Sequence, residues 1–68
     1  MRNYSVDLFC DADIKSLGMY TLAEAYRVFS RSISMVESGE YDSVCIFVYD
    51  DSFPCDTIAQ FHSYDVER

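Results

Sequence analysis

Carboxylates are the side chains with the most chemistry to offer here, and they come in closely spaced sets. Asp11 and Asp13 follow one apolar run. Asp50 and Asp51 follow another, with Asp56 just beyond, and Glu37, Glu40 and Asp42 close a helical segment. Aspartates paired at strand ends could supply oxygen ligands to Mg²⁺ or Ca²⁺. Phosphoryl-transfer enzymes that use such clusters add a lysine, a hydroxyl side chain and a covering domain, and a chain of 68 residues has no room for that apparatus. No EF-hand loop is present either, so the expectation is no metal and no cofactor.

Nucleophilic chemistry fares no better. Cys10, Cys45 and Cys55 are an odd set with no CxxC spacing, and His62 is the one histidine. That pattern fits neither a disulfide scaffold nor a zinc site and reads as three reduced, mostly buried thiols. Cys10 stands beside Asp11 and Asp13, whose negative charge opposes thiolate formation. There is no glycine-rich phosphate loop and no Ser or Cys at a motif spacing from His62. The expectation is therefore no catalytic residue and no enzyme.

What remains for the carboxylates is recognition. Twelve acidic against five basic residues give a formal net charge of −7. Such a field attracts basic surfaces and repels phosphate backbones and anionic membranes. Half of the residues are apolar, so the acid is displayed on a folded surface and not on a disordered tail. The N-terminus lacks the apolar stretch of a signal peptide and no run is long enough to span a membrane. A cytoplasmic location is expected.

The elements that position these groups can be read in turn. Tyr4–Cys10 alternates Tyr4, Val6, Leu8 and Cys10 with Ser5, Asp7 and Phe9, the period of a half-buried strand. Residues 11–20 mix charge, Gly18 and isolated apolar groups and read as a connection, with Ile14, Leu17 and Met19 tucked against the core edge. Thr21 and Glu24 form a capping box. Behind it Leu22, Ala25, Tyr26, Phe29, Ile33 and Val36 recur at helical spacing, until Ser38-Gly39 ends the helix. Residues 44–49 are apolar throughout and predict a strand with both faces at least partly covered. Residues 50–55 form a turn, and 56–64 a third strand with Ala59 and Phe61 inward. Residues 65–68 are expected to fray.

The fold class is therefore α+β, a single domain over 1–68 built as a two-layer β-α-β-β unit with one helix on a three-stranded sheet. Strand order is either 1-2-3 or an order with the third strand central. If the first two strands are parallel, Asp11, Asp13, Asp50 and Asp51 share one edge beside the helix N-terminus. If Val44, Ile46 and Val48 meet the helix, Cys45, Phe47, Tyr49 and Phe9 lie on an open face, and such a face usually marks an interface. Alternatively, residues 11–20 fold beneath the sheet, or the facing is reversed. Aromatics on an open α/β sheet are also how RNA-recognition domains stack bases, but the basic RNP pattern is absent and direct nucleic-acid binding is not expected.

In size, acidity and compactness the chain resembles the small phage- and plasmid-encoded inhibitors of bacterial defence, the anti-CRISPR and anti-restriction proteins. The segment Thr21-Leu22-Ala23-Glu24-Ala25 through Gly39-Glu40-Tyr41-Asp42-Ser43-Val44 has the helix-then-strand texture of short phage reading frames. The resemblance implies a binding protein that occupies a basic, nucleic-acid-handling surface. On that reading Asp11, Asp13, Asp50, Asp51 and Asp56 form one contact patch, and Glu37, Glu40 and Asp42 a second at the opposite end. Tyr49 and Phe53 are the aromatic anchors. The alternative is a homodimeric structural or regulatory subunit joined through the open sheet face.

Overall fold

The computed structural model describes residues 3–11, 13–51 and 53–65, so the fraying expected at 66–68 lies outside the described residues. Strands β1 (Tyr4–Cys10) and β2 (Asp13–Tyr20) form a hairpin, helix α1 spans Leu22–Glu37, and β3 (Ser43–Asp50) and β4 (Phe53–His62) form a second hairpin. A single 3₁₀ turn, Ser63–Asp65, follows. The sheet is antiparallel throughout, in the order β2-β1-β3-β4. The α+β class and the single helix on a sheet agree with the sequence reading. The strand number does not: there are four, because residues 11–20 are a hairpin turn and a strand. The three expected strands keep the order 1-2-3, with β2 added outside β1.

The extra strand reverses the chain. β1 and β3 are antiparallel neighbours, whereas β2 and β3 run the same way with β1 between them. The helix is thus the crossover of a split β-α-β unit. Both hairpins turn on two residues, since Cys10 pairs with Asp13 and Asp50 with Phe53. Asp11 (φ 51°) and Asp51 (φ 57°) open these turns in the left-handed region. Tight hairpins require that conformation, and aspartate tolerates it better than most residues.

Helix α1 begins as its residues dictate. The Glu24 N–H donates to Thr21 Oγ1 at 3.3 Å, and the Thr21 N–H donates to Glu24 Oε1 at 3.0 Å, completing the capping box. Gly39, at φ 85°, supplies the left-handed residue past the C-cap Ser38. The buried stripe is rotated from the expected one. Ala25, Ser32 and Val36 are buried, with Val28, Phe29, Ile33 and Met35 packed beside them, while Leu22 and Tyr26 are exposed on the flank. Ser32 reaches the core because its hydroxyl donates to the Val28 carbonyl at 2.8 Å, which satisfies it within the helix.

Under the helix lie Val6 and Leu8 of β1 and Val44 and Ile46 of β3, all fully buried, flanked by Leu17, Tyr20, Ala59 and Phe61. Val6 pairs with Ile46 and Leu8 with Val44, so the core centres on the two inner strands. The inward placement of Ala59 and Phe61 holds, as does that of Leu17, but Ile14 and Met19 are exposed, because they pair with Phe9 and Ser5 on the face away from the helix. The helix lies on the Val44 and Ile46 side, and residues 11–20 do not fold beneath the sheet.

Candidate functional site

Because β1 and β3 are antiparallel, the C-terminal end of β1 lies beside the start of β3. The Asp11 N–H donates to Asp42 Oδ2 at 2.9 Å, and the Asp42 N–H donates to the Phe9 carbonyl at 2.7 Å. Asp13 opens β2 at this end, and the link from α1 to β3, carrying Glu40, arrives here from Glu37. The Cys10 thiol registers the gathering. It is raised above its ordinary value, by desolvation first and then by the charges of Asp11, Asp42 and Asp13. Asp65 belongs here too, since its Oδ2 accepts the His62 N–H at 2.9 Å and the Ser63 N–H donates to the Asp42 carbonyl at 2.8 Å.

Asp50, Asp51 and Asp56 sit at the other end, around the β3–β4 turn. The expected grouping is therefore corrected. Asp11 and Asp13 gather with Asp42, Glu37 and Glu40 lie on the segment that leads into Asp42, and Asp50, Asp51 and Asp56 stand apart, because the inner strands are antiparallel where a parallel pair would have joined them. Seven residues of β1 separate the two ends, about 20 Å at 3.3 Å per residue. This exceeds a Debye length of about 8 Å at physiological salt, so the ends act as independent patches. Of the two expected anchors, Phe53 is 74% exposed beside Asp51. Tyr49 is half-buried, its N–H donating to the Asn3 carbonyl at 2.8 Å. Among the described residues no group of three His, Cys, Asp or Glu side chains is disposed to hold a metal ion.

The third surface is the sheet face opposite the helix. Strand partners share a face, so pairing arranges it in rows across the sheet. Ile14, Phe9, Ser43 and His62 form one row. Ser16, Asp7, Cys45 and Gln60 form the next, and Met19, Ser5, Phe47 and Thr57 the third. Phe9 and Phe47 stand one row to either side of Asp7 and Cys45, roughly 13 Å apart along the strands at 3.4 Å per residue. Their rings nevertheless meet edge to face, with centroids 6.2 Å apart. They must lean inward over the row between them. Asp7 and Cys45 are buried as a result, although no helix covers them; the expectation of mostly buried thiols holds for Cys45 alone, since Cys10 ends a strand half-buried and Cys55 lies exposed on the outer strand.

Sequence reasoning placed Phe9, Cys45 and Phe47 on this face but did not single out Asp7 or Ser5. The available signal was an aspartate in mid-strand sharing its face with an aromatic residue two positions on. Among the described residues, Asp7 Oδ1 and Ser5 Oγ are buried without a hydrogen-bond partner. The Cys45 thiol opposite is raised by burial first and then by the charge of Asp7. No protein-family model matches the chain, and no curated protein or solved structure matches it.

Proposed function

We propose that this domain is an acidic protein-binding module that docks on a basic protein surface, most concretely as an inhibitor occupying the nucleic-acid-binding surface of a bacterial defence protein. The observation that supports this is the gathering of Asp11, Asp13 and Asp42, flanked by Glu37 and Glu40, at one end of the sheet. Among the described residues none of these five forms an ion pair with Lys or Arg. Carboxylates held this way on a folded edge repel one another and gain most from an external cationic surface, which they also steer into encounter. The exposed Phe53 beside Asp50 and Asp51 offers a second, aromatic point of contact.

The test replaces Asp11, Asp13 and Asp42 together by Asn. Asparagine tolerates the left-handed turn at residue 11, and its side-chain oxygen can still accept at residue 42, so the hairpin is retained. Capture from a bacterial lysate should yield a nucleic-acid-binding protein that added DNA or RNA displaces. The triple variant should capture it at least tenfold less well, and higher salt should weaken capture in the same way. Capture that ignores the variant, the salt and the nucleic acid would sink this reading.

A further inference from the structure

We propose that the open sheet face is a receptor for an arginine side chain of the basic partner, with the Asp7 carboxylate as counter-ion and the Phe9 and Phe47 rings as walls. The inference rests on the reading above that the partner is a basic protein, and it names the group that partner would insert. Asp7 is 7% exposed and Ser5 fully buried, and Asp7 Oδ1 and Ser5 Oγ find no hydrogen-bond partner among the described residues. A buried, unpaired carboxylate is among the costliest features a small domain can carry. Replacing it by an apolar residue would be the simple remedy if this face served only packing. A cation arriving from outside offsets the cost and leaves the two oxygens satisfied.

The surroundings select the kind of cation. Two phenyl rings meeting at 6.2 Å, with planes at 78°, present a π-face and an edge directly over the Asp7–Cys45 pair. A guanidinium is planar, weakly hydrated and stacks on aromatic faces, and its fork of donors can serve more than one acceptor. An ammonium holds its water more tightly and offers no plane to stack. Phe9 and Phe47 are only half-buried, so the rings can swing apart on the fast timescale of side-chain motion to admit the group. A second copy of the chain fits poorly as occupant. Apposing two such faces would bring a formal −7 against −7 and confront each buried Asp7 with more negative charge.

The experiment is an NMR titration of the ¹⁵N-labelled full chain with the blocked tripeptide acetyl-Ala-Arg-Ala-amide. Its citrulline analogue, a neutral isostere, and its lysine analogue are run in parallel. The arginine peptide should produce saturable shifts at the amides of Ser5, Asp7, Phe9, Cys45 and Phe47. Citrulline should bind at least tenfold more weakly, and lysine should fall between. Asp7→Asn should lower arginine-peptide affinity at least fivefold, whereas joint Asn replacement of Asp50, Asp51 and Asp56 should leave it within twofold. If Asp7→Asn fails to fold, Phe47→Leu tests the wall instead, with at least a threefold loss expected.

Shifts confined to the exposed carboxylates, equal binding of citrulline, or an unchanged Asp7→Asn would overturn the site. So would concentration-dependent shifts of these same amides without peptide, with a dimer in sedimentation, since the face would then bind its own copy. If the arginine peptide fails while lysate capture still depends on Asp11, Asp13 and Asp42, only this site is lost and the acidic-module reading stands.

Discussion

On the helix-covered face of the sheet Val6, Leu8, Val44 and Ile46 are fully buried by α1. On the other face Ser5, Asp7 and Cys45 are 0%, 7% and 6% exposed with no helix above them. The first face is dry because a second layer packs on it. The second is shielded by its own side chains: two phenyl rings lean over the row that holds Asp7 and Cys45, and Ser5 lies beside Phe47 in the next row. Burial by a packed layer selects apolar residues that fill space. Burial by a thin aromatic roof tolerates an aspartate beneath it and a serine beside it, and leaves the ground beneath it within reach of a visitor.

Substitutions should separate the two faces. The largest effect is expected on the covered one: Leu8→Ala removes a fully buried side chain beneath the helix and should cost about 2–5 kcal/mol. Chemical denaturation would read this as a large fall in midpoint or outright unfolding. A loss under 1 kcal/mol would mean the two faces are built alike. Phe47→Ala on the open face should cost less, about 1–2 kcal/mol, because the half-buried ring leaves no enclosed cavity. Its sharper signature is chemical. With the roof gone, alkylation of Cys45, followed by peptide mass spectrometry, should accelerate several-fold while that of the exposed Cys55 is unchanged.

Asp7→Asn sharpens the contrast from the other side. It removes a buried charge that has no partner among the described residues, so stability should stay level or rise by up to about 1 kcal/mol. A thermal melt showing marked destabilisation would mean the carboxylate is already satisfied within the fold. The smallest effect concerns pH. The folded-state value of the Cys45 thiol is raised above the ordinary 9.0, so the folded state holds this proton more tightly than the unfolded chain. That contribution is complete below about pH 9 and is lost as pH climbs through the raised value. Stability of the native chain should therefore fall slightly more steeply above pH 9 than that of Cys45→Ser. Parallel slopes would remove the thiol from the account.

Much of this architecture is legible in the chain. The Thr21–Glu24 box, the helical stripe and Gly39 mark α1 closely, since capping and left-handed C-terminal residues are local chemistry. Residues 44–49 announce a strand apolar on both sides, and the helix does lie over Val44 and Ile46. β2 escapes for a physical reason. Leu17 and Tyr20 both pack on the core, three positions apart, because one residue of β1, Val6, faces both Leu17 and Gly18 in a bulge. That irregularity erases the period-two signal, and an edge strand exposed along half its length has little apolar pattern to show. The hairpin turns begin Asp-Ala and Asp-Ser and lack the glycine that usually marks them. Missing β2 reversed the relative direction of the two inner strands, and with it the grouping of the acids.

The same irregularities also govern how far the sheet can grow. Both outer strands carry bulges: at Leu17 and Gly18 in β2, and at Ile58 and Cys55 in β4, where Pro54 also lacks an N–H to offer. A fibril extends by adding strand to strand along an unbroken row of amides, and neither outer strand supplies one. With a net charge of −7 repelling like copies, the chain can keep an aromatic face in water without polymerising at its margins.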